Sequence, residues 1–136
     1  MSRLDEYRML RERSRRFCET AEMQVERGYY DLAAFSLEQC LQLLLKACLL
    51  RLGVDYPRVH SVRRLLEVLA EVTGDEGLRS LLEDLSVELG SLEDAYISSR
   101  YLPREYTRAE VERLRSAVRR VMGAVLGSCA GGEEEG

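Results

Sequence analysis

Three groups of residues carry side chains whose chemistry could amount to more than folding. Glu38, Gln42 and Lys46 are spaced four apart, so on a helix they form one polar row, and that row crosses the most apolar stretch of the chain. A carboxylate and an ammonium in such surroundings need partners once they are even partly buried. The row could line a groove or a dimer seam. The plainer reading is an i, i+4 ladder turned to solvent, with Gln39 exposed beside it. His60 is the single histidine and stands just before Ser61, a candidate helix cap. It could bind a phosphate or act as a base, or it could simply anchor a loop by hydrogen bonding. Tyr96 and Arg100 lie one helical turn apart, with Tyr101 next to them. Arg100 could clamp a phosphate at two points while Tyr101 stacks on a base. The alternative is a helix C-terminus where Arg100 complements the helix dipole and the tyrosines pack.

Other constellations offer less. Arg113, Arg115, Arg119 and Arg120 could form a nucleic-acid track, but Glu110 and Glu112 interleave with them, which fits a solvated face. No P-loop, glycine-rich dinucleotide turn, nucleophile elbow or DNA-specific motif occurs. Cys18, Cys40, Cys48 and Cys129 include no C-x-x-C pair, and one histidine cannot complete a zinc site of usual spacing, so no metal or cofactor is implied. Cys18, Cys40 and Cys48 sit in apolar helical stretches and read as small buried side chains with free thiols. With no signal peptide in view, a reducing cytoplasm is the expected setting.

The positioning elements follow from composition and period. A chain of 136 residues suits one domain, and 46% apolar with 32% charged residues is ordinary for a globular protein. Net charge is −4, and of 20 basic residues only Lys46 is lysine. Ser2 can cap a first helix ended by Gly28. Asp31 can cap a second over residues 32–52, apolar nearly all round and therefore buried centrally or shared with a partner. Within it, the longest apolar run is about half a bilayer span and contains Lys46, so it reads as a core helix with no membrane role. Ser61 caps a third helix, closed by Gly74. Leu78, Leu81, Leu85, Leu89, Leu92 and Tyr96 stay in phase and predict one long fourth helix, bent at Gly90. Thr107 and Glu110 form a capping box for a fifth. The fold expected is all-α: an antiparallel up-down bundle of four to five helices over residues 1–126, with a flexible acidic tail at 127–136.

Several of these landmarks together resemble the HEPN domain family. The stretch Arg27-Gly28-Tyr29-Tyr30-Asp31-Leu32-Ala33-Ala34-Phe35, continuing through Glu38-Gln39 to Leu45-Lys46-Ala47, is similar to the opening of those domains, which show a Gly-aromatic turn, A-x-F-x-x-E-Q and an L-K-A ending. His60-Ser61 resembles the next landmark, and Tyr96 with Ser99-Arg100-Tyr101 resembles a Y-x-x-x-R-Y signature. The resemblance spans about residues 4–122. It implies an up-down helical bundle that pairs as a homodimer and partners a minimal nucleotidyltransferase in a two-component, often toxin–antitoxin, system.

Some branches of that family are metal-independent ribonucleases with an R-x4–6-H motif. This chain departs from that pattern: Arg58 and Arg51 stand at the wrong spacing from His60, and no histidine follows Arg100. Gln42 stands where the family often has Glu. The leading expectation is therefore a non-catalytic, cytoplasmic interaction module that also binds a nucleotide or RNA phosphate through Tyr96, Arg100, Tyr101 and His60, with Lys46, Gln42 and Glu38 behind them. The alternative is a divergent ribonuclease toxin whose catalytic residues are Arg100, Tyr101 and His60. In some related systems the partner modifies a tyrosine, and Tyr101 or Tyr106 would be the acceptor here.

Overall fold

Helix α2 (Tyr30–Arg51) organises the molecule, because apolar side chains cover most of its circumference and must all find cover. The computed structural model describes residues 2–101 and 103–129, the side chains of residues 99–101 excepted. The described elements are all helices: α1 (Arg3–Glu26), α2, α3 (Val62–Thr73), α4 (Glu76–Asp84), α5 (Ser86–Tyr101) and α6 (Arg108–Cys129). Helices α1, α3, α5 and α6 pack around α2, so Leu41, Leu45 and Leu49 are fully buried. Each such leucine contributes roughly 1.5–3 kcal/mol from burial. By length and composition α2 could cross a bilayer, yet 78% of its most apolar window is buried by its own chain.

Of the two readings of α2, burial at the centre or a share with a partner, the first accounts for most of its apolar surface: four helices of the same chain cover it, and Leu32 near its start is left 49% exposed. Polar groups that fall inside are paired: Ser14 Oγ donates to the Cys40 carbonyl at 2.7 Å, and Ser36 Oγ to Gln24 Oε1 at 2.7 Å. Among the described residues no buried side-chain polar atom lacks a hydrogen bond.

Local signals explain most of the boundaries. Ser2 and Asp5 form a reciprocal capping box on α1, Ser61 Oγ accepts from Arg64 N at 3.0 Å, and Thr107 with Glu110 caps α6. Gly74 closes α3 at φ +68°, a left-handed conformation that favours glycine. Asp31 is not the cap of α2. That place belongs to Tyr29, whose carbonyl accepts from Ala33 N at 2.9 Å, while Asp31 sits in the first turn.

The predicted fourth helix is two. It breaks at Leu85, not at Gly90, giving six segments in place of the four to five expected, or five if α4 and α5 count as one broken rod. The inward face gives no sign of the break, because Leu78, Leu81, Leu85, Leu89 and Leu92 are buried on both sides of it. Arg63 supports the junction from α3 by donating Nη2 to the Ser86 carbonyl at 2.8 Å. Gly90 leaves room for that arm: a Cβ there would stand 3.3 Å from Arg63 Nη2.

The last helix runs past residue 126, the expected end of the bundle. Helix α6 continues through Gly127 to Cys129, where Ser128 Oγ bonds the Asp75 carboxylate. Residues 130–136 lie outside the described residues. The free thiols are corrected as well: Cys18 pairs with Cys40, with Cα atoms 5.1 Å apart, and Cys48 pairs with Cys129 across 5.7 Å. Both spacings suit a disulfide, and the bonds tie α1 and α6 to α2.

Candidate functional site

The polar row of α2 faces α5 and the loop before α3, and it is not solvated. Glu38 is 0% exposed and Gln42 3%, while Lys46 is half-buried at the outer end. Gln39, which the solvent-ladder alternative left exposed, is also half-buried and donates Nε2 to Glu38 Oε1 at 2.7 Å. Gln42 Nε2 donates to Glu38 Oε2 at 2.6 Å, and Lys46 Nζ donates to Gln42 Oε1 at 3.0 Å. The Lys46 ammonium also lies 5.6 Å from the centroid of the Tyr56 ring, within reach of its π face.

His60 joins this row from the loop. Its Nδ1 lies 3.2 Å from Gln42 Oε1, and its carbonyl accepts from Gln42 Nε2 at 3.4 Å. The imidazole then stacks on Tyr96 of α5, with centroids 4.7 Å apart and planes 22° apart. Tyr96 stacks in turn on Phe35 at 6.4 Å, and Phe35 meets Phe17 edge-on. His60 is therefore both the loop anchor and an exposed ring at the mouth of a polar cluster.

Five of the seven residues singled out in the sequence thus belong to one network: Glu38, Gln42, Lys46, His60 and Tyr96. Arg100 and Tyr101 close α5 one turn beyond Tyr96, and their side chains lie outside those described. Of the two candidate acceptor tyrosines, Tyr106 is the one with a described side chain. It is 8% exposed, its hydroxyl accepts from Arg104 at 2.9 Å, and the same guanidinium covers its ring. Phe35 entered the sequence analysis as part of the family motif rather than the site, while Tyr56 and Glu93 were not singled out. Glu93 could have been found, since it sits one turn before Tyr96 on α5.

Burial sets the electrostatics. It pushes the Glu38 carboxyl up to about 7, a rise that hydrogen bonds from Gln39 and Gln42 and the charge of Lys46 only partly offset; the negative charge of Glu93 adds to it. Burial also lowers the pKa of Lys46, against the favourable charge of Glu38. The cluster thus holds a carboxyl able to gain or lose a proton near neutrality, behind an ammonium and an imidazole at its opening.

Three arginines of α6 pair with nearby carboxylates. Arg115 and Arg119 each pair with Glu22 at 2.8 Å, Arg115 also pairs with Glu112, and Arg120 reaches Asp84 at 3.7 Å. These surface pairs with carboxylates on α1, α4 and α6 fit the solvated face expected for this arginine set. A groove of about 470 Å³ lies between α1, α2 and α6, with Arg8, Arg11, Arg15, Leu44, Met122 and Leu126 among its lining. Leu44 is about 200° round the helix from Gln42, so this groove and the cluster occupy opposite faces of α2. None of the site residues expected from sequence lines it.

Comparison with known proteins gives one assignment. Neither curated proteins nor solved structures yield a match. The family model described as HEPN domain matches residues 7–128, nearly the whole helical unit. The chain belongs to the HEPN domain family.

Proposed function

We propose that this HEPN domain is a homodimeric interaction module that partners a minimal nucleotidyltransferase and binds a nucleotide or RNA phosphate at the Lys46–His60–Tyr96 mouth. One observation carries the reading: the most apolar helix places a carboxylate and an amide in the interior and connects both to an exposed histidine. A polar network buried in this way costs desolvation, and a wholly apolar row would stabilise the fold as well or better. At the mouth, Lys46 supplies a cation, His60 and Tyr96 supply stacked rings, and Arg100 follows Tyr96 by one turn. That set suits a phosphate with a base or sugar attached.

The dimer reading draws on the family and on surface beside the stack. Leu32, one turn before Phe35, is 49% exposed, and Ile97, next to Tyr96, is 50% exposed. Sedimentation at micromolar concentration should give twice the chain mass; a monomer would remove that part. Fluorescence anisotropy with a labelled single-stranded RNA should show binding that His60→Ala and Lys46→Met weaken at least tenfold. Equal affinity in all three proteins would sink the site assignment. Co-expression with a minimal nucleotidyltransferase should yield a co-purifying complex, and separate elution would count against the partnership.

A second reading is a divergent metal-independent ribonuclease, favoured by the ordered placement of His60. It requires RNA cleavage in the presence of a chelator that His60→Ala abolishes with helicity intact. Unchanged RNA after long incubation would eliminate it.

A further inference from the structure

Gln42 uses all four of its hydrogen-bonding valences, and that fixes more than its own place. An amide offers two N–H donors and two lone pairs. Lys46 Nζ can only donate, so the atom it meets at 3.0 Å is the amide oxygen. The His60 carbonyl can only accept, so the atom facing it at 3.4 Å, which also lies 2.6 Å from Glu38 Oε2, is the amide nitrogen. The amide orientation is set from both sides independently. Its oxygen has no hydrogen to give, so the His60 Nδ1 atom 3.2 Å away must carry one. In a neutral imidazole a hydrogen on Nδ1 leaves Nε2 as the acceptor.

We propose that Gln42 is a positioning residue that holds His60 as the Nδ1–H tautomer, so that the ring meets its ligand with Nε2 as a hydrogen-bond acceptor. Three described contacts bear on the ring. The carbonyl bond to Gln42 places the residue, stacking on Tyr96 sets the plane, and the bond to Gln42 Oε1 sets the tautomer. Glu38 sits behind as the anchor of Gln42 and touches the imidazole only through it.

The consequence for ligand chemistry rests on reading the cluster as a binding site. An Nε2 acceptor selects a hydroxyl or N–H of the ligand, while a phosphate oxygen falls to the Lys46 ammonium. The two groups at the mouth are thus assigned opposite tasks.

The chain has one histidine, which makes the test direct. The full chain, labelled with ¹⁵N-histidine and free of ligand, is examined by two-bond ¹H–¹⁵N correlation on the alkaline side of the ring titration. The expected pattern is a pyrrole-type shift at Nδ1 and a pyridine-type shift at Nε2. Gln42→Leu should lose this pattern in favour of the Nε2–H form or an averaged one, with circular dichroism unchanged. Gln42→Met, which keeps the side chain's length but has no amide oxygen, should lose the pattern likewise. An Nε2–H or averaged spectrum in the wild type overturns the proposal, as does a Gln42→Leu spectrum identical to wild type. Should Gln42→Leu not fold, the wild-type and Gln42→Met spectra decide. Since no ligand is present, an Nδ1–H ring in a protein that fails to bind RNA would refute the binding reading alone.

Discussion

Replacing Glu38 with glutamine should reverse its effect on stability as pH rises. The carboxyl titrates at about 7 in the fold against 4.5 when unperturbed, because burial disfavours the anion. Below pH 4.5 both folded and unfolded chains hold the proton and no linkage arises. Between 4.5 and 7 the unfolded chain has lost it while the folded chain retains it, so stability falls as pH rises. The full loss, present above pH 7, is roughly 3 kcal/mol, since each unit of displacement corresponds to about 1.36 kcal/mol. Glu38→Gln does not titrate and escapes this loss. It does leave one amide donor facing a donor on Gln39 or Gln42, at a cost of about 1–2 kcal/mol at every pH. The variant should therefore be less stable than wild type at pH 5 and more stable at pH 8. Urea unfolding at half-unit steps between these values reads the difference, whose total change corresponds to a midpoint displacement of roughly 1.5 M. The window stops at pH 8 because Lys46, with its pKa also lowered by burial, contributes with the opposite sign on the alkaline side. Parallel curves for the two proteins would refute the reasoning, since they would mean that Glu38 is as well solvated folded as unfolded.

Other consequences can be checked alongside. Leu41→Ala removes a fully buried side chain from the centre of α2 and should cost about 2–5 kcal/mol in the same urea assay. Thiol titration of the denatured, unreduced protein should find no free thiol, and reduction should lower stability by about 3 kcal/mol for Cys18–Cys40 and about 4.5 kcal/mol for Cys48–Cys129, given sequence separations of 22 and 81. Four titratable thiols would restore the expectation from sequence. Lys46→Met should reduce the salt dependence of RNA binding by about one unit of log–log slope, as expected for one lost phosphate contact. An unchanged slope would place the phosphate elsewhere.

Much of this fold could be read from the chain because its helix ends carry their own chemistry. Ser2, Ser61 and Thr107 satisfy orphan amide groups with their own side chains, and Gly74 supplies a left-handed stop, so these ends lie where local sequence puts them. The misplaced boundaries depend on distant residues. The break at Leu85 preserves the apolar phase and draws on Arg63 of another helix, which no periodicity within α4 or α5 could reveal. Asp31 resembles a cap, but helix formation starting from Tyr29 moves it into the first turn.

The site divides in the same way. The spacing of Glu38, Gln42 and Lys46 announces a shared row, whereas its burial depends on how α5 lies against α2. The link between Gln42 and His60 joins residues 18 apart in sequence across a loop, and the pairing of Cys48 with Cys129 joins residues 81 apart. Such contacts follow from tertiary packing alone, which is why the sequence suggested free thiols and left open whether the row with Gln39 was buried or solvated.

The central claim is that ligand meets this chain at the mouth formed by Lys46, His60 and Tyr96. Its most direct test is a titration of short single-stranded RNA into the protein, observing the ring resonances of the lone histidine together with the backbone amides. The account predicts a saturable displacement of the His60 signals that requires more RNA in Lys46→Met. Undisturbed His60 signals while amides along the α1–α6 groove move would contradict it.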